Sequence, residues 1–358
     1  MKSKKRVIVA MSGGVDSSVT AALLKKDGFE VIGVTMCFNI PQGRSKGSSC
    51  CGIEGIEDAK KVAGILDIPH YVLNFGQILE EKIIKNFCLE YIHGRTPNPC
   101  VRCNQFLKFD GLFKKAKELN AAYLATGHYA KIIYSRSKKR FILKKGKDKK
   151  KEQSYFLYSL KKEVLPFILM PLGNFTKEEV RKIARNFKLQ IADKPASQEI
   201  CFIPDDNYRL FLKSRLPEKY FKSGPIVDIK GDVLGKHKGI AFYTIGQREG
   251  LGIALGKPAY ITKIDARKNL IIVGSKDELY SSGLIAKDFN FISMDYPKTR
   301  LVVKTKIRYN HKEVKSVLTP IKRNCIKVEF ESPQRAVAPG QSAVFYDKDI
   351  VLGGGVIV

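Results

Sequence analysis

The sequence predicts an α/β fold in which a parallel-sheet domain is followed by a small central domain and a C-terminal β-barrel. Short apolar runs alternate with helical periodicity in the first third of the chain, Gly-punctuated strand pairs follow from residue 224, and after residue 284 strands succeed one another without helices. At 358 residues the chain exceeds what one hydrophobic core serves. Domains are expected over 1–204, 205–279 and 280–358.

Residues 7–10 form a short apolar strand, followed by a Gly-rich turn and then by Val15, Val19, Ala22 and Leu23 at helical spacing up to Gly28. Similar patterns predict strands over 31–36, 71–75 and 123–126, with helices over 56–66, 78–91 and 105–119. This alternation gives a parallel, Rossmann-like sheet covered on both faces. Two insertions interrupt it: 37–55, rich in Gly and Ser, and 93–103, containing Thr96-Pro-Asn-Pro99. Loops of that composition lie at surfaces and often carry function. The lysine-dense segment 135–151 predicts a basic hairpin, with a solvated turn as the plainer alternative. A helical piece near 208–214 precedes the strand pairs of 224–274. Strands over 301–307, 325–330, 343–346 and 350–358 predict a small closed or nearly closed barrel.

The chain is 44% apolar and 28% charged, as expected of a folded protein. Its uncharged apolar stretches fall short of the roughly 20 residues that span a bilayer, so no membrane partner is expected. No leader-like segment precedes the first strand, which points to the cytosol. Sixty-four Lys and Arg against 35 Asp and Glu leave a formal charge of +29. Such a surplus favours a polyanionic partner, nucleic acid first, although a lysine-rich genomic bias would also produce it.

Ser12-Gly-Gly-Val-Asp-Ser17 lies between the first strand and first helix, where N–H groups and the helix's positive end face an anion. Gly13 and Gly14 let the backbone close round a phosphate, and Ser12 and Ser17 add hydroxyls. Asp16 would repel phosphate unless a cation lay between them, which suggests Mg²⁺ bridging to a pyrophosphate. The loop lacks the Lys-Ser or Lys-Thr of a Walker motif. A helix cap with a Gly-rich turn is the purely structural alternative.

Eight cysteines are too few for a disulfide scaffold. Cys100 and Cys103 form Cys-Val-Arg-Cys before the helix expected at 105–119. A thiolate there would be stabilised by the helix dipole and Arg102, making a nucleophile candidate. Half of a zinc site is the alternative, but no second Cys-x-x-Cys accompanies it. Cys201, in an apolar context, reads equally as a core residue. Cys37, Cys50, Cys51, Cys88 and Cys325 receive no chemistry.

The phosphate loop resembles that of the N-type ATP pyrophosphatases, which cleave ATP to AMP and pyrophosphate. Together with Gly94-Arg-Thr-Pro-Asn-Pro-Cys-Val-Arg-Cys-Asn104, Leu124-Ala-Thr-Gly-His-Tyr129, Lys151-Glu-Gln-Ser-Tyr155, Ser197-Gln-Glu-Ile-Cys-Phe202, Tyr243-Thr-Ile-Gly-Gln-Arg248 and Pro339-Gly-Gln-Ser-Ala343, it resembles the tRNA-specific 2-thiouridylase family (MnmA) over the full length. The resemblance implies adenylation of O2 of the wobble uridine in tRNAs for lysine, glutamate and glutamine, then replacement of that oxygen by sulfur. It implies ATP binding by Ala10, Met11, Ser12, Gly13, Gly14, Val15, Asp16, Ser17, Met36 and Gly127. Cys201 would carry a persulfide, and Cys103 would be the partner nucleophile forming a transient Cys103–Cys201 disulfide. Asn98, Pro99, His128, Lys151, Glu152, Gln153, Arg308, Tyr309 and Gln341 would contact tRNA.

A cysteine desulfurase or sulfur-relay protein would supply the persulfide, and a cellular reductant would reset the thiols. Many family members carry Asp where this chain has Cys100. Cys100, Cys103 and Cys201 therefore offer three thiolates, enough for a [4Fe–4S] cluster with an open iron as an alternative sulfur carrier. The rival readings are another pyrophosphatase-loop synthetase, which would not use the Cys103 and Cys201 segments, and a basic RNA-binding protein with redox or metal-binding thiols.

Overall fold

The computed structural model describes residues 4–38, 52–195, 200–254, 256–321 and 324–358. Most of the 37–55 insertion, Cys50, Cys51 and the first part of the 197–202 segment lie outside the described residues.

The chain starts with β1 (Arg6–Ala10), β2 (Glu30–Cys37), β3 (His70–Asn74) and β4 (Tyr123–Ala125). It then forms a hairpin, β5 (Ala130–Ser135) and β6 (Arg140–Lys145), before returning to the first sheet as β7 (Ile168–Leu169). That sheet has the order β3-β2-β1-β4-β7 and is parallel throughout. Val7, Ile8 and Val9 of β1 are fully buried because helices cover both faces, so the strand is apolar without alternation. Strands β2 and β4 flank β1 on opposite sides, which makes the carboxyl end of β1 the topological switch point, the place where open α/β sheets bind ligands. The phosphate loop follows β1, and helix α1 (Val15–Lys26) follows the loop.

Two helical runs differ from expectation. The run Gly76–Ile92 is α-helical at both ends but π-helical over Glu80–Ile84. The second begins at Pro99, six residues before the predicted start, because Asn98 caps it by accepting from the Val101 N–H at 3.3 Å and proline suits the first helical position. It widens to a π-helix over Cys103–Leu112. A helix over Lys177–Asn186, absent from the sequence reading, is set by a capping box between Thr176 and Glu179.

The central region holds β8 (Gly224–Val227), β9 (Val233–His237), β10 (Tyr260–Asp265) and β11 (Leu270–Gly274), in the order β10-β11-β8-β9. The C-terminal region holds β12 (Tyr280–Phe291), β13 (Leu301–Lys306), β14 (Val314–Ile321), β15 (Cys325–Arg335), β16 (Ser342–Asp347) and β17 (Ile350–Ile357). These six close into an antiparallel barrel through β12–β17 pairing, which removes the sheet edges. The basic hairpin is not a solvated turn: β6 pairs with β17, Lys144 opposite Ile350 and Leu143 opposite Val351, so the N-terminal part extends the barrel's own sheet.

Residues 94–99 are held by both other regions. The Thr96 N–H donates to the Pro339 carbonyl at 2.8 Å, and Gln341 Nε2 donates to the Thr96 and Pro97 carbonyls at 2.9 and 3.2 Å. The Thr96 hydroxyl donates to Thr244 Oγ1 at 3.3 Å. Gly340 makes the approach possible: its φ is +91°, and a Cβ there would stand 2.8 Å from the Thr96 carbonyl oxygen. Gly340→Ala should therefore cost about 2 kcal/mol and lower the unfolding midpoint measurably, while an unchanged midpoint would show the junction to be slack. Burial also depresses the pKa of His70, His128, His237 and His311. The unfolded chain thus takes up more protons below pH 6.5, and stability should fall as pH drops from about 7 to 5 in a thermal melt series. A flat profile would contradict this.

Candidate active site

The phosphate loop is shaped by its own hydrogen bonds and by close backbone approaches. Gly13 has φ +71°, and a Cβ there would strike the Gly55 carbonyl oxygen at 2.3 Å. Inside the loop, the Ser12 N–H donates to Ser17 Oγ at 3.1 Å, and the hydroxyls of Ser17 and Ser18 donate to the Gly14 carbonyl at 3.1 and 2.9 Å. Met11 and Val15 are core residues that anchor its two ends. Gly127, just beyond β4, approaches so closely that a Cβ would lie 2.8 Å from the Asp16 carbonyl carbon and 2.9 Å from the Ser17 nitrogen. Met36 sits near the end of β2, two residues beyond the partner of Ala10 in the β1–β2 register, and is half-buried. All ten residues expected at the nucleotide therefore cluster around the carboxyl ends of β1, β2 and β4.

Asp16 has two protein partners that the sequence did not show. Its Oδ1 accepts from Lys177 Nζ at 2.6 Å and from the Tyr129 hydroxyl at 2.7 Å. A Mg²⁺ bridging Asp16 to a pyrophosphate would use Oδ2, since both donors take Oδ1, and Lys177 adds a positive charge beside it. Burial and the adjacent Asp16 carboxylate push the Tyr129 hydroxyl far above its ordinary pKa, keeping it a donor. Nothing in the sequence linked Lys177 to this loop; the only local signal was the capping box around it.

Tyr129 also starts a connection toward the cysteines. Its N–H donates to Gln153 Oε1 and its carbonyl accepts from the Gln153 N–H, both at 3.1 Å. Gln153 leads into a 3₁₀ turn, Ser154–Leu157, whose Phe156 carbonyl accepts from Asn104 Nδ2 at 3.2 Å, next to Cys103. Tyr309 packs on Phe156 with ring centres 4.6 Å apart, and Lys306 Nζ lies 5.3 Å from the Tyr309 ring centre. Tyr155 donates to the Ser342 carbonyl at 2.9 Å and interacts with the Asn98 side chain. Asn98, buried Pro99, Gln153, Tyr309 and Gln341 are thus gathered round the start of the Cys103 helix.

Other expected tRNA residues are engaged within the protein. His128 is 8% exposed, with Nδ1 2.8 Å from Thr126 Oγ1 and Nε2 3.5 Å from Lys108 Nζ; burial first, and Lys108 second, hold it neutral. Glu152 is 9% exposed, and burial raises its pKa against the pull of Ser154 and two lysines. Arg308 donates to the Arg335 and Ala336 carbonyls at 3.2 Å each. The Lys151 N–H donates to Asp148. In this arrangement His128 and Glu152 position neighbours rather than offer an accessible surface.

Cys100 lies in the first turn of its helix and is exposed, whereas Cys103 sits one turn in, against the core. The thiol nearest the helix's positive end is therefore Cys100, not Cys103, because the helix begins earlier than predicted. Cys201 also borders that core. Its neighbour Phe202 packs edge-on against Phe87 at 5.4 Å, while the neighbour of Cys103, Arg102, donates to the Lys82 carbonyl at 2.9 Å. Lys82 and Phe87 are about one and a half turns apart on one helical run, so both cysteine segments flank the same element. Among the described residues no group of three His, Cys, Asp or Glu side chains is assembled for a metal ion. Cys100, Cys103 and Cys201 are all described and do not form such a group, so they do not fit a [4Fe–4S] cluster as arranged.

No helix among the described residues is long and apolar enough to cross a membrane. Three family profiles match consecutive parts of the chain: a tRNA methyl transferase HUP domain over residues 5–205, a tRNA methyl transferase PRC-barrel domain over 209–275, and an aminomethyltransferase beta-barrel domain over 281–357. The tRNA-specific 2-thiouridylase MnmA of Acetivibrio thermocellus is 51% identical, with 99% of both chains covered. That of Carboxydothermus hydrogenoformans is 50% identical, covering 99% of this chain and 98% of the relative. A solved 4-thiouridine synthetase–RNA complex with bound ATP aligns at TM-score 0.31 and 15% identity over 60% of this chain and 51% of that one, too distantly to bear on the assignment. With half of all positions identical over essentially the whole length, the chain belongs to the tRNA-specific 2-thiouridylase family.

Proposed function

We propose that this protein is an ATP-dependent tRNA 2-sulfurtransferase acting on the wobble uridine of tRNAs for lysine, glutamate and glutamine. The observation that carries the reading is the hydrogen-bonded connection from Asp16 through Tyr129 and Gln153 to Phe156 and Asn104, which joins a phosphate loop to the Cys103 helix. In this reading residues 1–204 perform the chemistry and share the target nucleotide with the 280–358 barrel, while 205–279 link the two.

Uridine O2 is a poor leaving group, so it first attacks the α-phosphorus of ATP and pyrophosphate departs. The N–H groups of the Ser12–Ser17 loop, the positive end of α1 and Lys177 face the developing negative charge. A cysteine desulfurase or sulfur-relay protein loads Cys201 as a persulfide. Its terminal sulfur attacks C2, and AMP leaves with the former O2. The Cys103 thiolate then attacks the Cys201 sulfur, leaving the outer sulfur on C2 and forming a Cys103–Cys201 disulfide. In the other order, Cys103 attacks the persulfide first and the released sulfide attacks C2. Either way two electrons from a cellular reductant restore the thiols. Asn98, Pro99, Lys151, Gln153, Tyr309 and Gln341 surround the target nucleotide, Tyr309 offering a stacking face.

Mass spectrometry of tRNA after incubation with ATP and a persulfide donor tests the whole reading: 2-thiouridine should accumulate. Cys103→Ser and Cys201→Ser should each abolish it while ATP binding persists, and thiolation surviving in either variant would refute that cysteine's role. Lys177→Met should slow tRNA-dependent ATP–pyrophosphate exchange about a hundredfold. Exchange at the unaltered rate would remove Lys177 from the phosphate site.

A further inference from the structure

We propose that a glycine-rich concavity in the central region binds a backbone phosphate of the RNA, a contact separate from the residues gathered round Cys103. The inference rests on tRNA being the substrate. The concavity, of about 450 Å³, is lined by Arg248, Gly250, Gly252, Gly256, Lys257 and neighbouring residues. Arg248 and Lys257 are exposed. A third cation arrives from another element: the Arg209 guanidinium nitrogens, on the helix Tyr208–Arg215, lie 3.8 and 3.9 Å from where a Gly250 side chain would begin. The acidic side chain in this stretch, Glu249, is also exposed.

The backbone adds donors. Gly250, Gly252 and Gly256 have φ of +72°, +69° and +64°. Left-handed residues in close succession turn N–H groups into a shared hollow, the geometry of an anion-binding nest. Among the described residues, no N–H between Gly250 and Ala259 donates to a backbone carbonyl in a loop or turn. Three cations round an open, polar hollow suit a phosphodiester oxygen: a fully enclosed metabolite would need walls the site lacks, and an apolar ligand would leave the charges unpaired. The location also suits the RNA. The loop carrying Thr244 and leading to Arg248 touches Thr96, so the hollow belongs to a segment tied to the cysteine loop, and an RNA held at one would extend over the other.

The test compares the full-length protein with an Arg248→Gln/Lys257→Gln double variant and with Arg209→Gln, measuring tRNA affinity across a salt series and ATP affinity without tRNA. In the double variant the slope of log affinity against log salt should fall by about two, and tRNA affinity should drop about tenfold or more at moderate salt. Arg209→Gln should lower the slope by about one. ATP affinity and the unfolding midpoint should not change. Unaltered protein that binds tRNA, together with variants showing the same slope and affinity, overturns the phosphate site alone. Unaltered protein that fails to bind tRNA overturns the functional reading beneath it. Inorganic phosphate that occupies the hollow while tRNA affinity stays unaltered in the variants would assign it to a free anion and overturn the proposal.

Discussion

The grip on the Thr96–Pro97 peptides is the constraint from which the rest of the arrangement follows. A loop containing Thr-Pro-Asn-Pro cannot form a ladder of its own, since prolines lack N–H groups, and its carbonyls need partners when partly buried. Gln341 donates to both carbonyls, the Pro339 carbonyl accepts from the Thr96 N–H, and Thr244 of the central region adds a third tether. Once Thr96 and Pro97 are fixed, Asn98 is placed to cap the next helix and Pro99 to start it, which sets the direction of Cys100 and Cys103. The cysteine helix takes its orientation from the far end of the chain. That dependence gives a physical reason for a small barrel to accompany the parallel-sheet domain.

The charge balance at the phosphate loop follows a similar logic. An aspartate in the first turn of α1 is favourable to the helix dipole but unfavourable beside phosphate. Lys177 and Tyr129 both donate to the same Asp16 oxygen, leaving the carboxylate neutralised and immobile. Tyr129 then passes that rigidity to Gln153 through one bond to its side-chain oxygen and one from its backbone N–H, and from there to the aromatic group of Tyr155, Phe156 and Tyr309. The phosphate loop and the aromatic platform are therefore mechanically one unit. The pairing of β6 with β17 reinforces it, because β5 leaves directly from Ala130, the residue after Tyr129.

The two cysteines expected to cooperate flank the helical run Gly76–Ile92, and both helices involved carry π-helical stretches. Such insertions widen a helix and are frequent at functional sites because they re-aim side chains at small cost. Exposed Cys100 and half-buried Cys103 stand one helical turn apart, but among the described residues they belong to no group of three His, Cys, Asp or Glu side chains, so the Cys-x-x-Cys spacing alone did not specify a metal site.

By itself the sequence determined the parallel-sheet domain, the phosphate loop and the succession of barrel strands, because these depend on local periodicity and glycine placement. It also determined the family, through long motifs in a fixed order. It did not reveal the early helix start at Pro99, since the Asn98 cap competes with a loop reading until the preceding residues are pinned. Nor did it show that Lys177 neutralises Asp16, that His128 and Glu152 are buried, or that the basic hairpin joins the barrel. Those outcomes depend on side chains more than a hundred positions apart meeting in space, or on which face of a segment the core covers, and no local pattern encodes either.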